Sequence, residues 1–328
     1  MLRIHRHADA PPAPHAEGEI GEDAVWIELA HPTEEEKAFV RRATGLAVPT
    51  FQQLREVESS SRLRYDQGAL CLSLPLVFRD AAHRPRITPV GFLLTEKHLV
   101  TIRFEDLKAF DTCRQRFGEG DVCHPSAAGA FVTLLEAIVD RLADVLEETG
   151  ENLDDAAEEV FGGDTDAAGR SRRRTVRGQR LRVMLRRVGR LRQLLSKIRI
   201  TLLGIGRMVP YVEEEARDWL PPDARRRLGV VRQDVLSLDE FEEHLSDKAQ
   251  FLLDADLGLI SIEQNDTFRV LTVVSVVGIP PTLVASMYGM NFKNMPELSW
   301  SFGYEWGLGL ILLSAILPLV WFRAKGWF

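Results

Sequence analysis

Apolar and polar positions follow several different rhythms along this chain. Between residues 21 and 125 the apolar and β-branched runs are short and separated by turn residues, so 25–30, 69–78, 87–94 and 98–103 read as strands. Thr33 ahead of Glu34, Glu35 and Glu36 reads as a capped helix start with an acidic first turn, and 105–117 as a short helix. From 126 to 161 the period becomes helical, with Phe131, Leu134, Leu135, Ile138, Leu142 and Leu146 on one stripe. Gly162 and Gly163 end that run. A second helical pattern covers 170–207, carried by Leu181, Leu185, Leu191, Leu194 and Leu195. After Pro221 and Pro222 one pattern runs from about 224 to 287 with no stop before Pro280 and Pro281, or ~95 Å at ~1.5 Å per residue. Its last part, 270–287, carries no charge and is ~27 Å long as a helix. A second uncharged run, 306–322, follows a connecting loop, and these two segments are long enough to cross a bilayer.

The fold class that follows is α+β. Residues 1–20, with Pro11, Pro12 and Pro14, are expected to form a flexible tail in which His5, His7 and His15 are solvated, adventitious metal binding being the alternative. Residues 21–125 form a cytosolic α/β domain, 126–220 a helical hairpin and 221–267 a stalk helix. Residues 268–291 are the first spanning helix, 292–304 an outer loop, 305–323 the second span and 324–328 a cytosolic tail. The face of 126–161 opposite its apolar stripe is acidic, whereas 170–207 holds fourteen Lys and Arg. An antiparallel hairpin with complementary charge is the economical reading. Cation gathering by the acidic face, or contact of the basic helix with anionic lipid or RNA, are the functional alternatives.

Composition narrows the function. A mean hydropathy of −0.10 keeps the membrane part a minor fraction of the chain. The net charge of −7 argues against nucleic acid as a partner. Cys71, Cys113 and Cys123 have no CxxC spacing, which suits reduced thiols and gives no zinc-site signal. The first nineteen residues lack the apolar core of a secretory signal, so insertion falls to the C-terminal helices. No nucleophile–base pair, phosphate loop or HExxH pattern appears, so neither an enzyme nor an organic cofactor is expected.

The long helix carries the informative chemistry. Steps of seven from Asp247 reach Asp254, Ser261, Phe268, Ser275 and Thr282. A second row holds Leu257, Gln264, Leu271, Gly278 and Ala285, with Asn265, Ile279 and Ser286 beside them. A coiled-coil seam would place Leu or Ile at these positions. A polar stripe in a membrane span requires water or a partner. Two spans of one chain cannot enclose a pore, whereas several copies around a cyclic axis can. The plainer alternative is that Ser and Thr bond their own helix carbonyls. Arg269, Arg323 and Lys325 flank the spans, and the loop sets Lys293 against Glu297 and Glu305, so both termini are expected inside. Trp300, Phe302, Tyr304 and Trp306 would form the outer aromatic belt, and Trp321, Phe322 and Trp327 the inner one.

Five stretches in the last seventy or so residues are distinctive: Pro280-Pro281-Thr282-Leu283-Val284-Ala285-Ser286, Tyr288-Gly289-Met290-Asn291-Phe292, Met295-Pro296-Glu297-Leu298, Trp300-Ser301-Phe302-Gly303-Tyr304 and the basic-aromatic tail 323–328. Together they resemble the CorA family of magnesium transporters. The resemblance implies a homopentamer in the inner membrane, with a funnel-shaped cytosolic part that senses intracellular divalent cation. It implies influx of Mg²⁺, and of Co²⁺ and Ni²⁺, with Mg²⁺ also the regulatory ion. Gly289, Met290 and Asn291 would form the selectivity filter, and Glu297 would lie in the outer loop. Thr282, Ile279, Leu271, Phe268 and Asn265 fall at the family's pore positions, with Leu257 and Asp254 at the inner mouth. Ser275 and Ser261 join them on the stripe. Asp234, Asp239 and Glu240 are the candidate regulatory carboxylates. The alternatives are zinc transport, as in the related ZntB branch, and a non-transporting membrane-anchored scaffold. The first is disfavoured by the intact Gly-Met-Asn-Phe and Met-Pro-Glu-Leu stretches and by the lack of His or Cys within 245–328. The polar stripe, for which an anchor has no use, weighs against the second.

Overall fold

The computed structural model describes residues 1–6, 13–14, 20–21, 24–56, 58–66, 68–82, 84–118, 126–161, 172–290 and 295–326. The chain divides into two compact units, one of Met1–Ala167 with Met184–Leu253 and one of Ala168–Val183 with Asp254–Phe328. His7, His15, Cys123, the Gly162-Gly163 break, Asn291 and Trp327 lie outside the described residues.

The first unit is built on a seven-stranded sheet. Its strands are β1 (Leu2–Arg6), β2 (Ala13–Pro14), β3 (Ala24–Ala30), β4 (Leu63–Asp66), β5 (Ala69–Arg79), β6 (Pro85–Leu94) and β7 (Leu99–Arg103). They lie in the order β2-β1-β3-β7-β6-β5-β4. The β3–β7 pair is parallel and the others are antiparallel. Central β3 and β7 are buried throughout, as strands covered on both faces must be. Alternation sorts their neighbours' side chains: Trp26, Leu72, Leu74 and Phe92 enter a large core on one face, and Ile27, Leu29, Leu93 and Val100 a smaller one on the other. Each such apolar side chain contributes about 1.5–3 kcal/mol on burial.

Helix α1 (Glu34–Thr44) starts where Thr33 and Glu36 form a reciprocal capping box, and it ends at Gly45 with φ 74°. Two short helices follow, α2 (Phe51–Leu54) and α3 (Ser59–Arg62), and then α4 (Lys108–Gly118). Helix α5 (Ala127–Phe161) lays its apolar stripe on the large core, with Phe131 edge-on to Phe92 at 5.6 Å between centroids. Helix α6 (Arg172–Glu215) continues past the expected end at 207 and through Pro210. Gly204 lets it approach the sheet, because a Cβ there would stand 2.8 Å from Leu74 Cδ1. Three residues earlier, the Thr201 hydroxyl donates to the Pro75 carbonyl at 2.8 Å.

The acidic face of α5 is shared among several elements. Glu148 meets Arg79 (3.1 Å) on β5, Asp140 meets Arg116 (2.9 Å) on α4, and Asp155 meets Arg187 (3.3 Å) on α6. Two more carboxylates pair with the stalk helix α7 (Pro222–Tyr288), Glu136 with Arg227 and Asp154 with Lys248. The charge complementarity is thus spread over the sheet and three helices.

The N-terminal residues differ from the expected loose tail. Leu2–Arg6 is a sheet strand, paired Leu2↔Leu29 through Arg6↔Ala24 with an irregularity at His5/Arg6. Leu2 and Ile4 alternate into the smaller core, and this burial together with the ladder pairing to β3 offsets the entropy of ordering the strand. His5 is only 6% exposed, contrary to the expectation of a solvated side chain. It stacks on Trp26 at 4.4 Å, with Nε2 3.8 Å from a Glu28 carboxylate oxygen.

Glu28 is the centre of a buried ionic group. Arg103 Nε donates to it at 2.9 Å, and one Arg114 Nη donates to both its oxygens at 2.9 and 3.1 Å. Arg103 also donates to Asp106 (2.8 Å) and to the Glu105 carbonyl (2.7 Å). Burial alone would raise the Glu28 carboxyl. The His5 imidazole and the two guanidinium groups outweigh it and hold the pKa at about 2. Burial pushes the neighbouring Cys113 thiol up to about 12, so it is an inert packing residue.

Candidate ion pathway

Helix α7 contains every residue of the sequence-derived stripe from Asp254 to Thr282. At ~100° per residue, Asp254, Leu257, Ser261, Asn265, Phe268, Leu271, Ser275, Ile279 and Thr282 fall within an arc of about 120°. Leu257, Phe268, Leu271 and Ile279 are each more than half exposed. Helices α7 and α8 (Gly303–Ala324) are the two described helices long and apolar enough to cross a membrane, and none of the apolar window of α7 is buried within the chain. A helix that is apolar over this length and bare of its own protein requires lipid or other copies around it.

Two local features mark the C-terminal half of the span. Pro280 and Pro281 sit inside the helix without a cis bond. Each removes one N–H, so the carbonyls of Val276 and Val277 lose their usual partners. In hydrocarbon such carbonyls need water or a neighbouring donor. At the next residue, the Thr282 hydroxyl donates to the Gly278 carbonyl at 2.8 Å. Thr282 therefore does bond its own helix, as the plainer alternative holds. Its oxygen keeps accepting capacity for a hydrated ion or water.

The helix ends at the expected filter. Gly289 N–H bonds the Ala285 carbonyl (3.0 Å) and Met290 N–H the Met287 carbonyl (3.3 Å). Gly289 has no left-handed backbone; a Cβ there would stand 3.3 Å from the Ala285 carbonyl oxygen, tight contact at the helix end. Met290 is half exposed. The chain is described again from Met295. A 3-10 turn, Pro296–Ser299, carries Glu297, whose carbonyl accepts from Trp300 N–H at 3.3 Å. Trp300 packs near Phe302 and Trp306, with centroids at 5.3 and 6.3 Å.

Gly303 stands in the distinctive stretch Trp300–Tyr304, where sequence reasoning assigned it no role of its own. Any Cβ there would run into the Glu297 carbonyl oxygen, so the return into α8 requires glycine. Gly303→Ala is expected to destabilise the turn by about 1–3 kcal/mol. Gly307→Ala, where a Cβ meets no atom within 4 Å, is the matched control. Protease nicking of the connection between α7 and α8 in detergent reads the difference; equal nicking of the two variants would show that the turn yields freely.

The regulatory candidates are not drawn together. Asp234 and Glu240 are exposed, while Asp239 is half-buried with Oδ1 lacking a hydrogen bond. Among the described residues no three His, Cys, Asp or Glu side chains group as a metal site. Two further carboxylates of α7 went unnoticed in the sequence. Glu242 is buried; burial raises its pKa, against a hydrogen bond from Ser246 (2.8 Å) and the charge of Arg199. Asp256 is buried with neither oxygen hydrogen-bonded, and burial raises it too. No sequence signal separates them from the many solvated acids of the same helix.

Known proteins match this arrangement over nearly its full length. The family of CorA-like Mg²⁺ transporter proteins matches residues 21–324. The magnesium transport protein CorA of Pasteurella multocida (strain Pm70) is 31% identical over 304 residues, spanning 93% of this chain and 92% of that protein. Among solved structures, the complete CorA magnesium transporter from Methanocaldococcus jannaschii has a TM-score of 0.77 at 16% identity, covering 100% of this chain and 99% of that one. The cytoplasmic domain of ZntB from Vibrio parahaemolyticus RIMD 2210633 has a TM-score of 0.57 at 12% identity, over 79% of this chain and 97% of that one. These two structural likenesses concern the fold; the family match and the sequence identity go further, and this chain belongs to the CorA-like Mg²⁺ transporter family.

Proposed function

We propose that this chain is the subunit of a homopentameric Mg²⁺ transporter of the inner membrane, with both termini cytoplasmic and with Co²⁺ and Ni²⁺ as further cargo. It is a transport protein of its family and not an enzyme. One observation supports the reading most: a membrane-length helix, bare of its own chain, presents a polar stripe along one arc. Symmetric copies of α7 give that stripe an aqueous axis to line.

Mg²⁺ sheds its water reluctantly. A collar of Asn291 amides at the outer rim, beside Gly289 and Met290, accepts hydrogen bonds from the ion's water without stripping it. Glu297 in the outer loop adds negative potential near the entrance. Thr282, Ser275, Asn265 and Ser261 continue the hydrogen bonding inward, and Asp254 holds the inner mouth. Rings of Leu271 and Ile279, with Phe268 and Leu257 further in, close the path by excluding water. Divalent cation on cytosolic carboxylates, with Asp234, Asp239 and Glu240 the candidates, holds the closed population; its loss releases it.

Zinc transport is the alternative reading, and the likeness to the ZntB cytoplasmic domain, at 12% identity, concerns the fold alone. The pathway itself offers no soft ligand, since 245–328 contain neither His nor Cys. Proteoliposome flux with Mg²⁺, Co²⁺, Ni²⁺ and Zn²⁺ on one preparation separates the readings. Mg²⁺ uptake is expected to be largest and to slow in vesicles preloaded with Mg²⁺. Larger Zn²⁺ flux would replace the magnesium reading, and no flux of any metal would leave a membrane-anchored scaffold.

A further inference from the structure

Two small cavities adjoin in the first unit, the larger between α3, β4, β5 and α6 and the smaller between α2, α3, β4, β5 and β6, and both are lined by Arg62 and Ser73. The larger, about 140 Å³, has Arg62 and Arg207 among its walls together with Leu63, Ile200 and Leu203. Gly204 completes it. The smaller, about 90 Å³, adds Arg64 and Ser61, with Glu56 as its acid. No carboxylate lines the larger cavity among the described residues.

Arg62 is anchored. Its Nε donates to the Glu56 carbonyl at 2.6 Å, which leaves both Nη groups as donors. Burial, and then the charge of Arg207, hold the Arg62 pKa below the usual arginine range. Arg62 and Arg207 line one cavity and their charges act on each other, so an anion between them can accept from both guanidinium forks. Ser73 does not supply a donor for it, because its hydroxyl donates to the Leu54 carbonyl at 2.6 Å.

The geometry points to an oxyanion site in the cytosolic unit: Arg62 and Arg207 hold the phosphate of a small soluble phosphate or diphosphate, with Arg64 reached through the adjoining cavity. Phosphate suits the residue types, because planar guanidinium forks pair with tetrahedral oxyanions and two of them match a dianion. The cavity volume admits a phosphate group and excludes a large organic body from its interior. An anion bound there ties α3 and the head of β4 to α6 and so stiffens the unit that precedes the pathway.

The test uses the full chain in nanodiscs of phosphatidylcholine, free of divalent cations, titrated calorimetrically with inorganic phosphate and with pyrophosphate. Wild type is expected to bind pyrophosphate more tightly than phosphate. Arg207→Gln and Arg62→Gln are each expected to weaken binding at least about tenfold, the loss of one charge-assisted hydrogen bond. Arg207→Lys should keep part of the affinity. Arg207 is exposed, so its variants leave the fold intact even if Arg62→Gln loosens α3 through its lost bond to Glu56. Equal affinity in Arg207→Gln and wild type overturns the site, as does the absence of pyrophosphate binding at millimolar concentration. A parallel arm adds phosphatidate to the nanodiscs; a response to that lipid with none to soluble pyrophosphate assigns the arginines to a lipid headgroup and overturns the soluble ligand.

Discussion

Asn291→Ala is expected to bring Mg²⁺ uptake in proteoliposomes down to the level of empty vesicles while the purified oligomer keeps its size. The reasoning is chemical. A neutral amide oxygen accepts from the water around Mg²⁺ and still lets the ion go, whereas methyl groups offer the hydrated ion nothing. Asn291→Asp should also fail, for the opposite reason: a ring of carboxylates around the axis holds the dication too firmly to pass it on. The preceding residues support the position of such a collar. Met290 is half exposed where α7 ends, and Gly289 is held against the Ala285 carbonyl with no room to spare. Unchanged uptake by Asn291→Ala would remove the collar from the mechanism. Loss of uptake together with loss of the oligomer would give Asn291 a role in assembly instead.

The sequence conveyed the parts of this molecule that depend on local spacing. The long 3.6-residue periods of α5 and α7 and the uncharged run of α8 are backbone-scale signals, and Thr33 with Glu36 announced the start of α1 through a contact three residues apart. The stripe from Asp254 to Thr282 was visible for the same reason, while the assignment of Gly289, Met290 and Asn291 to a filter rests on resemblance. What depends on distant residues was hidden. The strand Leu2–Arg6 is five residues long and precedes a proline-rich segment, and nothing nearby shows that Leu2 will pair with Leu29. The parallel pairing of β3 with β7 joins Trp26 to Leu99 across the whole α1-to-β6 excursion. Gly303 matters because a turn carries the Glu297 carbonyl back against it, and a sequence does not show such a return. Glu28 is the sharpest case. In a strand of alternating residues a lone glutamate reads as solvent-facing, and its burial makes sense only once His5, Arg103 and Arg114 arrive from three other elements.

That burial sets up a large stability effect for a single substitution in the first unit. Glu28→Ala leaves Arg103, 7% exposed, without its main counter-charge in the core, and it removes the shared acceptor of Arg114. Removing one partner of a buried pair destabilises by about 3–5 kcal/mol, because the remaining charge stays desolvated. Asp106 and the Glu105 carbonyl still hold one Arg103 Nη, which places the expectation at the lower end of that range. The pH dependence has a definite sign. The folded-state pKa of about 2 lies below the ordinary 4.5, so the stabilisation from ionised Glu28 is fully present above pH ~4.5 and fades as pH falls toward 2. A displacement of that size corresponds to about 3 kcal/mol near neutrality, in keeping with the mutational figure. The urea midpoint of the full chain in detergent, measured for wild type and Glu28→Ala at pH 7 and at pH 3, tests both statements. The gap between the two proteins should be wide at pH 7 and narrower at pH 3. Glu28→Leu combined with Arg103→Met should recover much of the loss, since the buried Arg103 charge goes with its partner and Arg114, 20% exposed, keeps Asp111. A Glu28→Ala midpoint equal to wild type at pH 7 would mean that Arg103 and Arg114 are satisfied without it, and that the buried ionic group is not what fastens Leu2–Arg6 and α4 to the sheet.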